Sequence, residues 1–218
     1  MGKRGTQPKG KVRIKWSPDF AYAIGLLATD GCLSTNGRHV IFVSKDLEQV
    51  ENFKNILKLD SKIGNNYSGT GNLSYRVQFG DILFCNFLRG IGIFENKSKT
   101  IGVLKIPHKY FFDFLRGSFD GDGTFYSYWD KRWKSSFMFY MEFISASKKH
   151  IDWIREEVFL KIKISGHITK AKNNSCYQLK YAKRESQILL KKLYYKNNLI
   201  CLSRKRLKIK KILGSIVK

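Results

Sequence analysis

Two aspartates stand at the ends of two similar stretches of chain. Residues 23–31 read Ala-Ile-Gly-Leu-Leu-Ala-Thr-Asp-Gly, and residues 115–123 read Leu-Arg-Gly-Ser-Phe-Asp-Gly-Asp-Gly. Aromatic and apolar residues at helical spacing precede both: Phe20, Tyr22 and Ile24 in one, Phe111, Phe112 and Phe114 in the other. The pattern predicts two helices that end at Asp30-Gly31 and Asp122-Gly123, with glycine where a left-handed cap is wanted. A carboxylate in the last turn of a helix faces the negative end of the macrodipole, an unfavourable placement. Two such carboxylates brought together need a proton or a cation between them. Few hard oxygen ligands with space left for water and phosphate suit Mg²⁺. A metal held in this way stabilises the attacking and leaving oxygens of a phosphodiester displacement. No rival constellation is present, since Gly-x-Ser-x-Gly, the P-loop pattern and His-Glu-x-x-His are all absent.

The elements around the aspartates must bring them together. Gly25 and Gly117 fall inside the two helices, where glycine costs about 1 kcal/mol relative to alanine. With Thr29 and Gly121 one turn later, each helix carries a stripe of small residues that allows close backbone approach. The stripe serves either a tight contact inside each half or a contact between the two helices across a pseudo-twofold axis, and the repetition favours the second.

The repeat continues downstream. Phe42-Val43-Ser44 answers Phe143-Ile144-Ser145, and each leads into a polar-capped amphipathic helix, Asp46 to Leu57 and Ser147 to Phe159. Tyr75 to Phe79 and Tyr177 to Tyr181 alternate as half-buried strands do. Asn36-Gly37 marks a hairpin turn, with a second near Gly69 to Gly71. The offset between copies grows from 92 to 102 residues, which a longer loop or hairpin near Tyr126 to Phe137 would absorb. Phe87-Leu-Arg-Gly90 echoes Phe114-Leu-Arg-Gly117 without the aspartates and reads as an ordinary helix. The expectation is an α+β fold of two pseudo-symmetric αββαββα-type halves. A basic tail spans 1–19, the first half 20–104 and the second 105–218, joined by a short connection at Ile101 to Pro107.

Composition fits a nucleic-acid partner. The chain of 218 residues carries a net charge of +24, with 43% hydrophobic and 14% aromatic residues, so it folds and needs a polyanion to offset its self-repulsion. A structural basic protein such as a ribosomal one is the plainer reading of that charge. Residues 1–104 hold 15 basic and 8 acidic side chains and residues 105–218 hold 26 and 9, so backbone contact should favour the second half. No run of about 18 apolar residues could cross a bilayer, and the basic start lacks the apolar core of a secretory signal. Cys32, Cys85, Cys176 and Cys201 lack metal-finger spacing, pointing to a reducing interior and to small core residues.

The two nonapeptides resemble the motif for which the LAGLIDADG homing endonucleases are named, and two per chain resembles the monomeric branch. The second copy matches at Gly117, Asp120, Gly121, Asp122 and Gly123, while the first departs at Ala28. The resemblance implies a saddle of two antiparallel sheets with the motif helices packed at the centre. It implies that Asp30 and Asp122, with Thr29, Gly31, Gly121 and Gly123 beside them, hold Mg²⁺ or Mn²⁺, Ca²⁺ being a non-catalytic substitute. Water then attacks both strands across the minor groove and leaves short 3′ overhangs. A lysine late in each half usually supports the water at the site, here Lys97 and Lys205, with Lys99 and Arg204 as rivals and phosphate contact as the plainer role for Lys205. The polar sheet face would lie on a long duplex through Arg38, Arg76, Gln78, Lys131, Arg132, Lys134, Gln178 and Lys180, reading bases or touching phosphates. An intron RNA maturase and a catalytically silent nucleic-acid-binding protein of the same fold are the alternatives. A monomer inside a cell or organelle, away from membranes, is the expected setting.

Overall fold

The computed structural model describes residues 10–67, 69, 71–133, 135–170 and 175–214. Helix α1 (Pro18–Asp30) begins where Ser17 accepts the Phe20 N–H at 3.1 Å and Pro18 supplies a residue with no N–H to satisfy. Strands β1 (Gly31–Leu33) and β2 (His39–Ser44) follow, then α2 (Leu47–Leu57), β3 (Gly64–Tyr67), β4 (Leu73–Gly80) and α3 (Ile82–Ile91). The second half repeats the order with α4 (Phe111–Asp122), β5 (Thr124–Trp129), β6 (Phe137–Ser145), α5 (Lys148–Ile162), β7 (His167–Lys170), β8 (Tyr177–Tyr181) and α6 (Lys183–Leu193). Helix α7 (Ser203–Gly214) is additional to the repeat.

Each half forms one antiparallel four-stranded sheet, with strand orders β1-β2-β4-β3 and β5-β6-β8-β7. The register repeats too: Phe42 faces Val77, and Phe143 faces Leu179. Alternation sends Phe42, Val77 and Phe79 into the core, as it does Phe143, Leu179 and Tyr181, where helices cover one face of each sheet. Phe42 stacks on Phe53 of α2 with centroids 4.5 Å apart, and Phe119 of α4 meets Phe143 at 5.8 Å.

One detail corrects the sequence reading, since Gly31 and Gly123 end α1 and α4 in extended backbone, with φ of −84° and −73°, rather than in a left-handed cap; two others add to it. The extra length of the second copy goes into a longer hairpin, one of the two forms expected there: β5 and β6 pair over six residues from Thr124–Glu142 to Trp129–Phe137, against three pairs between β1 and β2. The stretch before α1 is packed from Lys11 onward: the Lys11 and Val12 N–H groups donate to Asp81 Oδ2 at 2.6 and 2.9 Å, while Asp81 Oδ1 caps α3 through Phe84 N–H. Trp16 then lies edge-on to Phe20 and Phe87. The connection between halves is fastened to α5, with Ser147 Oγ donating to the Ile101 carbonyl and His150 Nδ1 2.8 Å from the Gly102 carbonyl. Among the described residues no helix is long and apolar enough to cross a membrane.

Candidate active site

Helices α1 and α4 cross at their glycines. A methyl group on Gly25 would lie 2.1 Å from the Phe114 carbonyl oxygen and 2.9 Å from Gly117 Cα; one on Gly117 would lie 2.1 Å from the Tyr22 carbonyl. The small stripe therefore joins the halves, backbone against backbone. One turn later, a methyl on Gly121 would fall 2.0 Å from Thr29 Oγ1 and 2.7 Å from Asp30 Oδ2. The Asp30 carboxylate thus leans across the interface over Gly121, toward the end of the helix that carries Asp122.

Electrostatics register that proximity. Loss of water and then the neighbouring Asp122 charge push the Asp30 carboxyl up to about 6 from 3.8, against the pull of Thr29, Lys97 and Lys205. Asp122 is raised as well, chiefly by loss of water, and Lys97 and Lys205 oppose the shift. Among the described residues no third carboxylate, histidine or cysteine joins the pair. The donor set is thus two hard oxygens whose mutual repulsion a cation relieves, with open positions for water and phosphate, and this fits Mg²⁺ or Mn²⁺.

A lysine stands behind each helix end. Lys97 Nζ, on a short 3₁₀ turn (Lys97–Lys99), donates to the carbonyls of Thr29 at 3.0 Å and Gly31 at 2.6 Å. Lys205 Nζ, from α7, lies 2.6 to 3.0 Å from the carbonyls of Phe119, Asp120, Gly121 and Gly123. Each ammonium answers the negative end of a motif helix, which offsets the unfavourable position of the aspartates. Burial lowers both lysines, Lys205 to about 8 from 10.5. The carbonyls of Thr29, Gly31, Gly121 and Gly123 therefore already serve lysines. Of the rivals, Arg204 is held by Asp46 through two bonds of 2.7 Å, and Lys99 is exposed.

Asp120, a motif residue of the second copy to which the sequence assigned no role, is buried at the helix interface. Its Oδ2 accepts from Tyr22 OH and from Leu202 N–H, both at 2.7 Å, and burial raises it to about 6. The carboxylate thus ties α4 to α1 and to the segment that delivers Lys205. At the equivalent places of the other copy stand Ala28 and Phe114, an apolar pair.

On the sheet face away from the core, Arg76 and Gln78 are exposed and bond to one another. Gln178 accepts from Thr169 Oγ1 at 3.2 Å, and Lys180 is paired with the buried Glu142 at 3.0 Å, so its charge is not free. Arg38 and Lys131 are exposed near the hairpin turns, and Arg132 reaches back to Asp130 at 3.4 Å. Lys134 lies outside the described residues. No disulfide joins the four cysteines; Cys85 and Cys201 are buried as expected, whereas Cys32 is exposed because it lies on the outward face of β1.

No protein-family model matches the chain, and no curated protein matches it. Solved structures do. The homing endonuclease I-WcaI bound to its DNA recognition sequence is similar with a TM-score of 0.61 at 14% identity, over 88% of this chain and 88% of that one. I-DmoI in complex with DNA and Mn gives 0.51 at 15% identity, over 84% and 98%. The N-terminal LAGLIDADG domain of DUF199/WhiA gives 0.55 at 14% identity, over 93% and 91%. With two sheets, two crossing motif helices and one Asp-Gly at the end of each, the chain has the fold of the LAGLIDADG homing endonucleases.

Proposed function

We propose that this protein is a divalent-metal-dependent endonuclease that cuts both strands of a long duplex DNA site, leaving short 3′ overhangs, and that it acts as a monomer. The observation that carries the reading is the pair of aspartates at equivalent ends of two helices in backbone contact, each with a lysine ammonium behind it. Asp30 and Asp122 would hold the metal, which supplies charge neutralisation at the scissile phosphates and a more acidic bound water. The backbone crossing at Gly25 and Gly117 fixes the distance between the carboxylates, so each copy serves one strand. Lys97 and Lys205 keep positive charge close to both reacting positions, where it favours the negative charge that builds up during displacement. The outward sheet faces and the basic surface would lie along the duplex, and two neighbours of this fold were solved with DNA bound.

Binding without cleavage, on duplex DNA or on intron RNA, is the second reading, and one observation favours it. Four carbonyl acceptors surround the Lys205 ammonium, more than its three protons can serve. One assay separates the readings. Asp30→Asn or Asp122→Asn abolishes double-strand cleavage in Mg²⁺ while folding and duplex binding persist; cleavage at the wild-type rate by either variant refutes the shared site. A wild-type chain that binds its selected duplex without cutting it in Mg²⁺ or Mn²⁺ establishes the second reading.

A further inference from the structure

The two outward sheet faces differ in chemistry. On the first sheet, Arg76 and Gln78 of β4 stand exposed. The register of the second sheet puts Tyr126 opposite Tyr140, Tyr128 opposite Met138 and Ile144 opposite Gln178 on the outward side. Tyr140 stacks on Tyr126 with centroids 5.4 Å apart and planes 19° from parallel, and on Tyr128 at 6.1 Å and 8°. Tyr128 is 45% exposed. The basic group on this face, Lys180, is neutralised by Glu142. The second sheet therefore offers a rigid apolar patch edged with hydroxyls.

In the DNA major groove the apolar feature available to such a patch is the thymine 5-methyl group, while guanine and adenine edges call for Arg, Lys, Asn or Gln. Stacking engages the ring of Tyr140 with both neighbours, which leaves less open ring face to a ligand. Unpaired bases bind through open aromatic faces, so the arrangement favours a duplex over a single strand. We propose that Tyr126, Tyr128, Tyr140 and Met138 form a thymine-methyl-reading surface, so that the half-site under the second sheet is rich in A·T pairs while Arg76 and Gln78 read purine edges in the other half-site. This rests on the DNA-binding reading above but not on cleavage.

The test begins with selection from a randomised duplex library in Ca²⁺, followed by replacement of thymine with deoxyuridine in one half-site at a time. Each methyl lost from contact with the second sheet should weaken binding about fourfold, and deoxyuridine in the first half-site should change little. 5-Iododeoxyuridine in the sensitive half-site should photocrosslink within residues 124–140. Tyr128→Ser, at an exposed position, should remove most of the deoxyuridine effect while leaving thermal stability near that of the wild type. A sensitive half-site that crosslinks elsewhere, a G·C-rich selection beneath the second sheet, or deoxyuridine duplexes bound as tightly as thymine ones overturns the proposal while leaving DNA binding intact. Failure of every duplex to enrich, with single-stranded DNA or RNA bound in its place, overturns both.

Discussion

Placing one methyl group at the crossing of α1 and α4 tests whether the two halves form one site. In Gly25→Ala the new carbon would sit 2.1 Å from the Phe114 carbonyl oxygen, 2.8 Å from the Ser118 nitrogen and 2.9 Å from Gly117 Cα. All three are backbone atoms, so no side chain can swing aside and the helices must separate, by roughly 1 Å to restore ordinary contact. Overpacking of this kind costs about 1–3 kcal/mol and occasionally more, against roughly 1 kcal/mol returned by the better helix propensity of alanine. A net loss of up to about 2 kcal/mol lowers the Tm of a chain of this size by up to roughly 4–8 °C. The carboxylates lie just beyond the crossing, and a misplacement of about 1 Å can cost on the order of 10²-fold in rate. Thermal unfolding and single-turnover cleavage of a labelled duplex at saturating protein measure the two effects. Gly90→Ala is the internal control: it lies in α3 with nothing within 4 Å of the added carbon, so the same substitution should raise stability. Gly25→Ala as stable and as active as the wild type would refute the direct helix crossing and, with it, the shared site.

Lys97→Met and Lys205→Met should each slow the chemical step under saturating DNA and accumulate nicked product. Lys205→Met should also be the less stable of the two, since it strands four carbonyls rather than two, as chemical denaturation would show. Burial holds the His150 imidazole at about 4, below its ordinary 6.5, so the unfolded chain takes up its proton at higher pH than the folded one. Its contribution is complete above about pH 6.5 and is lost as pH falls toward 4, on the order of 3 kcal/mol in all. Asp120 acts with the opposite sign between its ordinary 3.8 and about 6, so the measurement is the difference between wild type and His150→Gln, whose stability should vary less with pH on the acid side. With a net charge of +24, duplex affinity should fall about 10³-fold or more between roughly 50 and 200 mM salt if about six phosphates are contacted; a flat salt profile would place the binding surface elsewhere.

The repeat made much of the architecture legible. Mid-helix glycines at 25 and 117, the polar caps at Asp46 and Ser147, and the alternating strands at 75–79 and 177–181 are local patterns. Matching them twice is enough to give the element order and the crossing. What local pattern cannot carry is partnership across long separations. Asp46 precedes a helix as a cap should, yet its side chain makes no cap bond and holds Arg204 across the two halves. Lys97 and Lys205 were candidates by analogy, and their carbonyl partners follow from the path of the chain after α3 and α6. Tyr126 and Tyr128 fall in the region read as a longer loop or hairpin; it is a hairpin, but local pattern left the choice open because a long twisted ribbon and a loop of the same length differ little in composition when aromatic residues fill both faces.

The exchange of Tyr22 and Asp120 for Phe114 and Ala28 bears on which halves can pair with each other. Two copies of the first half facing each other would pair Tyr22 with Ala28 and bury a hydroxyl with no acceptor. Two copies of the second would set Asp120 against Phe114 and bury a carboxylate with no donor from the opposing helix. Only the mixed pairing satisfies both, through the Tyr22 hydroxyl on Asp120 at 2.7 Å. By this contact each half is a poor mate for a copy of itself, and the two unlike halves of one chain favour each other.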